Sequence, residues 1–569
     1  MIKRLHSLIQ SNIIFLTNLI AFLTASGLIV LQTMRQMGGP RMSTDFVSWA
    51  LSSMAPIFGI GHPYVDYWGI NPPGLLMMTS AWGVLVGSSL QSFHLLFLVC
   101  ISLISYFSWK ILQKSFQPVL GLTLFGIYCI LFFNGTVQSL FFPSEINGLV
   151  CTMAALWLLL GNKLTASRLF WIHFLFILAS QMKEVFAFQG LAVLPIALAA
   201  LHEGGKKSTD YLKPAILGSV AAVALCAGYL MLNGALSEYR SITSYKSTQF
   251  SVSDLEKVGS RAYRTLQFPK DRFFYARYQF PALLFLGVVA SLAWITLASK
   301  SSSTNSSKKE GGWSLTIKFQ PHHRIYAILI CFWIGSIIGY AFQGRYGNKY
   351  DLEPLLATII MTAIVIKIIF AALASGLDKY QRGRWLPVIN LFGFMVTVFL
   401  LLPHKSFLIE PVVMARAYSP LLHWRLWNNL DSHEAVALEK RIDQRLAPED
   451  CITSVYGWGV GDAYYYSRRS SCSKHFLLNI MPKTDYQAYA NALISNPPKA
   501  IVYTIEGADL DTSKFEREVF NFSRVLSACY IQDIDFPKLH WLSVPEEQAA
   551  DCLGLGLPLP SPSLNDTIN

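Results

Sequence analysis

The block from Asp45 to Gly87 gathers reactive side chains beside a long apolar segment. It reads Asp45-Phe46-Val47-Ser48-Trp49, then Gly61-His62-Pro63-Tyr64-Val65-Asp66-Tyr67-Trp68, then Asn71-Pro72-Pro73-Gly74, and closes on Gly87. The apolar run Asn12 to Gln32 precedes it directly, so two carboxylates, a histidine and several aromatics follow the first expected membrane crossing. Acidic groups beside lipid are costly to hold there, and their presence marks function. A second stretch, 234–277, has the opposite character. It carries eight bases, among them Arg240 and Lys246, against the four acids Glu238, Asp254, Glu256 and Asp271. An external cationic loop suits an anionic ligand such as a lipid phosphate. The competing reading is a membrane topology displaced by one span.

The elements that must position these groups are membrane helices. The chain of 569 residues is 53% hydrophobic and only 14% charged, against about 25% charged in a typical soluble domain. At about 20 apolar residues per crossing, the sequence predicts about eleven spans. They lie near 12–32, 90–110, 117–135, 141–161, 168–182, 184–201, 213–233, 279–299, 324–342, 352–372 and 385–403. The fifth and sixth are short and separated only by Gln181, Met182 and Lys183. Lys3, Arg4, Lys110, Lys114, Lys163, Arg168, Lys206, Lys207, Lys300 and Arg384 then fall on one side, the positive-inside pattern with a cytoplasmic N-terminus. An odd number of spans puts the C-terminus outside. The net charge of +12 is therefore a matter of loops and anionic lipid, and no basic, aromatic-interleaved stripe points to nucleic acid.

From about 405 the chain turns polar. Cys451–Trp458, Ala500–Ile505 and Val525–Ile534 are predicted as strands. Glu434–Leu446 and Asp485–Ser495 are predicted as helices, with Asp485 as an N-terminal cap. The expectation is a polytopic α-helical membrane domain over 1–404, with a first external loop at 33–89 and a further one at 234–277, followed by a small extracytoplasmic α/β domain over 405–569. Cys451, Cys472, Cys529 and Cys552 make an even set in that domain, which permits disulfides in an oxidising compartment, the pairing being open. No Cys/His cluster indicates a metal site.

The Asp45, Gly61–Trp68, Asn71–Gly74 and Gly87 pattern resembles the first external loop of GT-C membrane glycosyltransferases, in the branch of protein O-mannosyltransferases and the lipid A aminoarabinose transferase. Further blocks are similar in the same order. They are Pro143-Ser144-Glu145-Ile146-Asn147-Gly148, Ala179-Ser180-Gln181-Met182-Lys183 and Gly344-Arg345-Tyr346-Gly347-Asn348-Lys349-Tyr350. Val455-Tyr456-Gly457-Trp458-Gly459 and Asn496–Val502 resemble the external domain of bacterial members. One departure stands out: relatives often carry a second acid directly after the first aspartate, and here Phe46 follows Asp45.

The resemblance implies an inverting transfer of a sugar from a polyprenyl-phosphate donor to an acceptor hydroxyl of a glycan, lipid or protein, outside the cytoplasm. Such chemistry needs a carboxylate to accept the hydroxyl proton and fixed positive charge where the phosphate departs. It differs from inverting glycoside hydrolysis, which needs two carboxylates. Asp45 is the expected base, its alternative being a helix N-cap for Phe46–Phe58. Asp66 is the second catalytic candidate, its alternative being a turn residue. Arg345 and Lys349, with the hydroxyls of Tyr346 and Tyr350, are expected at the donor phosphate; the alternative is a basic loop anchored by interfacial tyrosines. Lys183 either joins that phosphate site, snorkels to the interface, or pairs with Glu184 or Asp66. Glu145 serves the acceptor or the structure, or is a first-turn charge favoured by the helix dipole. His62 is an acceptor-side or structural candidate. Tyr64, Tyr67 and Trp68 are expected as interfacial anchors. No cofactor is expected, although some members of the wider superfamily use a divalent metal. A bacterial inner membrane is the expected home. The rival functions are a transporter and a non-catalytic scaffold for envelope assembly.

Overall fold

A computed structural model describes residues 44–67, 71–88, 90–115, 143–161, 164–194, 208–249, 321–343, 433–455, 460–474, 483–503 and 519–557, with the single positions Gly69, Ala357 and Phe515. Its residues group into two compact units. One holds Leu95–Leu225 and the helix beginning at Pro321; the other joins Gly38–His94 and Cys226–Phe250 to the chain after Trp424.

In chain order the helices are α1 (Thr44–Phe58), α2 (Pro73–Leu85), α3 (Leu90–Ser115), α4 (Pro143–Leu159), α5 (Ala166–Ser180), α6 (Glu184–Leu194), α7 (Ser208–Leu232), α8 (Leu236–Gln249) and α9 (Pro321–Gln343). Six of the expected spans thus fall on helices. Those at 12–32, 117–135, 279–299 and 385–403, and 352–372 apart from Ala357, lie outside the described residues. Among the described residues two helices are long and apolar enough to cross a membrane, Leu95–Ser115 and Asp210–Leu232. On α7 the large apolar side chains Leu212, Ile216, Leu217, Val220 and Val223 stand exposed, as a lipid-facing helix requires.

In the first unit α4 and α5 pack as an antiparallel pair. Ile146, Leu149, Met153 and Leu156 are buried on α4, and Leu169, Ile172, Phe176 and Ala179 on α5, both at helical spacing. Thr165 caps α5 by accepting the Arg168 N–H at 3.3 Å. The helix stops at Ser180, Lys183 is extended (φ −160°, ψ 127°), and α6 restarts with a 3-10 turn at Glu184–Phe186. The two short segments that the sequence separates at Gln181–Lys183 are therefore two helices joined by a break.

In the second unit, α1 is buried around most of its circumference, from Trp49 through Ala55. It ends at Gly59, whose φ of +71° is the left-handed conformation that glycine adopts without a Cβ penalty. Pro72 and Pro73 start α2, where a missing N–H costs nothing. Ser80 Oγ donates to the Ser53 carbonyl at 2.7 Å, tying α2 to α1.

The C-terminal part of this unit forms α10 (His433–Asp443), β1 (Ile452–Val455), α11 (Val460–Ser467), α12 (Tyr486–Ser495), β2 (Ala500–Tyr503), α13 (Phe522–Cys529), β3 (Tyr530–Gln532), β4 (Leu539–Leu542) and α14 (Glu546–Gly554). The sheet order is β1-β2-β4-β3, with β1 and β2 parallel and the other pairs antiparallel. This is the expected α/β character. The predicted strand at Val525–Ile534 is corrected: Phe522, Val525, Leu526 and Cys529 are buried at helical spacing and Asn521 caps the turn by accepting the Arg524 N–H, so only Tyr530–Gln532 is strand. Asp485 occupies the N-cap position of α12, but its side chain makes no capping bond. The cysteines pair as Cys451–Cys472 and Cys529–Cys552.

Asp533 is the polar hub of this fold. It accepts from Trp541 Nε1 (2.7 Å), Arg441 Nε (3.0 Å) and the N–H groups of Asp535 and Phe536. Burial alone would raise its pKa; the Trp541 and Arg441 bonds and the two amides outweigh it and bring the carboxyl down to about 2. A carboxyl depressed in the fold stabilises above its unfolded pKa, and that contribution is lost as pH falls through the folded value. Acid titration of the unfolding midpoint should therefore show a loss of about 2 kcal/mol between about pH 4 and pH 2. Asp533→Asn should abolish that step.

Candidate functional site

The acidic loop is a rigid knot. The Asp66 N–H donates to the His62 carbonyl (3.0 Å), the Tyr64 N–H to the Tyr67 carbonyl (3.0 Å), and the His62 N–H to Asp66 Oδ2 (2.7 Å). Gly61 closes it at φ +141°, and a Cβ there would meet Asp66 Cβ at 2.8 Å. Tyr64 holds φ +68°, a conformation that costs a bulky residue about 1–3 kcal/mol unless its surroundings impose it. They do so here: its hydroxyl donates to the Asn71 carbonyl at 2.6 Å and its ring meets Tyr239 of α8 edge-on. Asp66 and His62 are exposed, while Tyr64 and Tyr67 are fully buried. The expectation that these two tyrosines are interfacial anchors is thus corrected; they are internal fasteners. His62 Nδ1 stands 3.5 Å from Asn233 Oδ1.

Asp66 fills the turn role that was its alternative, with its carboxylate at the surface. Asp45 is in helical conformation within α1, the element that runs into this turn; its side chain lies outside the described residues, as does that of Lys246 on α8.

In the first unit the structure brings Glu145 and Lys183 together. Lys183 Nζ donates to Glu145 Oε1 at 2.7 Å, and Ser144 Oγ donates to Oε2 at 2.5 Å. The side chains are 13% and 5% exposed. Glu145 stands in the first turn of α4, where the helix dipole favours a carboxylate. Lys183 reaches it from the extended break between α5 and α6. The structure thus pairs Lys183 with Glu145, a partner that the sequence alternatives, Glu184 and Asp66, did not include. Gly148 lies against the buried Phe186 ring, leaving no room for a side chain where α4 meets the restart of α6. Arg345, Tyr346, Lys349 and Tyr350 lie outside the described residues. Among the described residues no three His, Cys, Asp or Glu side chains group as a metal would need.

A connection that sequence reasoning missed joins α11 to the segments around the loop: Tyr465 donates to the Ser88 carbonyl, and its ring meets Phe58 edge-on at 5.7 Å. Within the loop, the Tyr67 hydroxyl donates to the Ile60 carbonyl at 3.4 Å. Burial foremost, then the neighbouring Tyr464, raises the Tyr67 phenol far above its usual pKa, so it is a neutral hydroxyl at any working pH. Alternating aromatics were the only sequence signal, and they do not separate a buried fastener from an interfacial one.

No protein-family model matches the chain, and no curated protein matches it significantly. Among solved structures it is similar to the Archaeoglobus fulgidus oligosaccharyltransferase in the apo form, at 12% identity over 87% of this chain and 70% of that chain, with a TM-score of 0.49. It is similar to ArnT from Cupriavidus metallidurans in the apo state, at 13% identity over 94% of this chain and 98% of that chain, with a TM-score of 0.48. The same protein bound to undecaprenyl phosphate gives 12% identity over 80% and 85% of the two chains and a TM-score of 0.39.

Proposed function

We propose that this chain is an inverting membrane glycosyltransferase that moves a sugar from a polyprenyl-phosphate donor to an acceptor hydroxyl outside the cytoplasm. The observation that carries the reading is the α1–turn unit: Asp45 within α1 and, directly after that helix, a locked turn with the Asp66 carboxylate exposed. Rigid presentation of a carboxylate, as the turn gives Asp66, is what a transfer to a hydroxyl requires. In the proposed step Asp45 takes the proton of the acceptor hydroxyl, whose oxygen bonds to the anomeric carbon as the carbon–oxygen bond to phosphate breaks. Polyprenyl phosphate leaves as an anion, held by Arg345 and Lys349 with Tyr346 and Tyr350. Residues 1–404 carry this chemistry in the proposal, and 405–569 form the external domain. The two disulfides support an oxidising compartment for that domain, hence a periplasmic face of a bacterial inner membrane.

The test is direct. Purified protein given a radiolabelled polyprenyl-phosphate sugar and a mixed glycan and lipid acceptor pool should release free polyprenyl phosphate. No release with any such donor overturns the reading. Arg345→Ala should raise the donor KM by about tenfold or more, the loss of one charge-assisted phosphate contact. An unchanged KM would remove Arg345 from the donor site.

A further inference from the structure

The corner where α7 gives way to α8 meets the acidic turn at two places. Gly234 holds φ +63° in that corner, and the Ala235 N–H returns to the Leu230 carbonyl at 2.8 Å, which closes the end of α7. Tyr239, in the first turn of α8, sets its ring against Tyr64 at 5.2 Å. Asn233, the residue after α7, brings its Oδ1 to 3.5 Å from His62 Nδ1. The other end of the same amide is fixed as well, because Nδ2 donates to the Tyr229 carbonyl at 2.8 Å. Tyr229 is itself tied to α2. Ser80 Oγ donates to the Ser53 carbonyl at 2.7 Å, so in its 3.1 Å contact with Tyr229 the phenol is the donor.

The direction of these bonds decides the histidine tautomer. A backbone carbonyl only accepts, so the Asn233 amide turns its nitrogen to Tyr229 and its oxygen to His62. An amide oxygen also only accepts, so His62 donates from Nδ1. The neutral ring then carries its proton on Nδ1, and Nε2 is left as an acceptor. The backbone beneath the ring is held too. The His62 N–H donates to Asp66 Oδ2 at 2.7 Å, and the His62 carbonyl accepts the N–H groups of Asp66 and Tyr67. His62 and Asp66 are both exposed.

We infer that Asn233 is a positioning residue that sets His62 as a hydrogen-bond acceptor at Nε2, and that this atom takes a substrate hydroxyl at the acidic turn. A hydroxyl of the donor sugar and one of the acceptor offer the same chemistry, and the kinetics below tell them apart. The hydroxyl contact rests on the transferase reading; the tautomer does not.

Nitrogen-15 NMR of the histidine-labelled protein in detergent reads the tautomer directly, the His62 signals being those lost in His62→Gln. At roughly pH 8.5, above the ordinary imidazole pKa of about 6.5, Nδ1 should be the protonated nitrogen. A proton on Nε2 would overturn the inference. Asn233→Leu should release the ring to a mixture of tautomers. Tyr229→Phe removes the bond to Ser80 but keeps the carbonyl that orients Asn233, and should leave the tautomer unchanged. Equal changes in the two variants would reduce the effect to a general loosening of the corner and would also overturn it.

His62→Phe should lower kcat/KM for polyprenyl-phosphate release by about tenfold, the size of one hydrogen bond. His62→Gln, whose amide oxygen can stand in for Nε2, should recover most of that loss. A raised donor KM assigns the hydroxyl to the donor sugar; an unchanged donor KM with a lower kcat assigns it to the acceptor. Wild-type kcat/KM in His62→Phe, or no recovery in His62→Gln, would remove the contact. If the wild-type protein releases no polyprenyl phosphate, the transferase reading fails instead, and the tautomer spectrum alone decides whether Asn233 sets the ring.

Discussion

Asp45→Asn is expected to lower polyprenyl-phosphate release by about 10²–10⁴-fold, the contribution of a positioned general base, while donor binding stays as in the wild type. Asparagine preserves the size and the hydrogen-bonding oxygen but cannot accept a proton. Because the lost interaction belongs to the transition state, kcat and kcat/KM should fall together. The acid limb of the pH–rate profile should disappear with it. Asp66 provides the contrast. Its described task is to accept the His62 N–H, and an asparagine oxygen can still do that. Asp66→Asn should therefore retain a folded turn and show only what its charge contributes to the reaction. Full turnover in Asp45→Asn would discard it as the base and leave Asp66 as the remaining acid of the loop.

The sequence was most legible where one period or one sharp composition change decides the structure. The apolar runs at 90–110, 141–161, 168–182 and 213–233 became α3, α4, α5 and α7, because nothing in those windows competes with the helical backbone. The polar, alternating character after 405 became a four-stranded α/β sheet. Errors arose where a short segment satisfied two periods at once. Val525–Ile534 is apolar enough for a strand, yet Phe522, three residues earlier, supplies the missing helical repeat with Val525, Leu526 and Cys529. The site followed the same rule. Glu145 and Lys183 could be singled out as charges in apolar surroundings, but 38 residues separate them. Their pairing depends on α5 stopping at Ser180, which no proline or glycine announces. Tyr67 was visible only as one aromatic among several, since nothing in its spacing distinguishes a hydroxyl turned inward to the Ile60 carbonyl from one at an interface.

That unannounced break leads to the second large effect. Lys183→Met removes the cation from a carboxylate that is only 5% exposed, and should destabilise the fold by about 3–5 kcal/mol, the usual result of leaving one charge of a buried pair. The unfolding midpoint in detergent measures it. Ser144 remains as a donor to Glu145, so part of the carboxylate stays satisfied and the loss should lie toward the lower end. Glu145→Gln/Lys183→Met removes both charges and should recover most of the stability, because exchanging a buried pair for neutral groups of similar volume is often neutral or better. The double variant then separates two roles that the single ones confound. If the pair only locks α4 to the break before α6, the double variant is folded and active. If Lys183 also faces the donor phosphate, it is folded but has a raised donor KM, because a methionine restores packing and offers the phosphate nothing. A double variant as unstable as Lys183→Met would show that the charge itself, and not its desolvation, holds the two helices at this point.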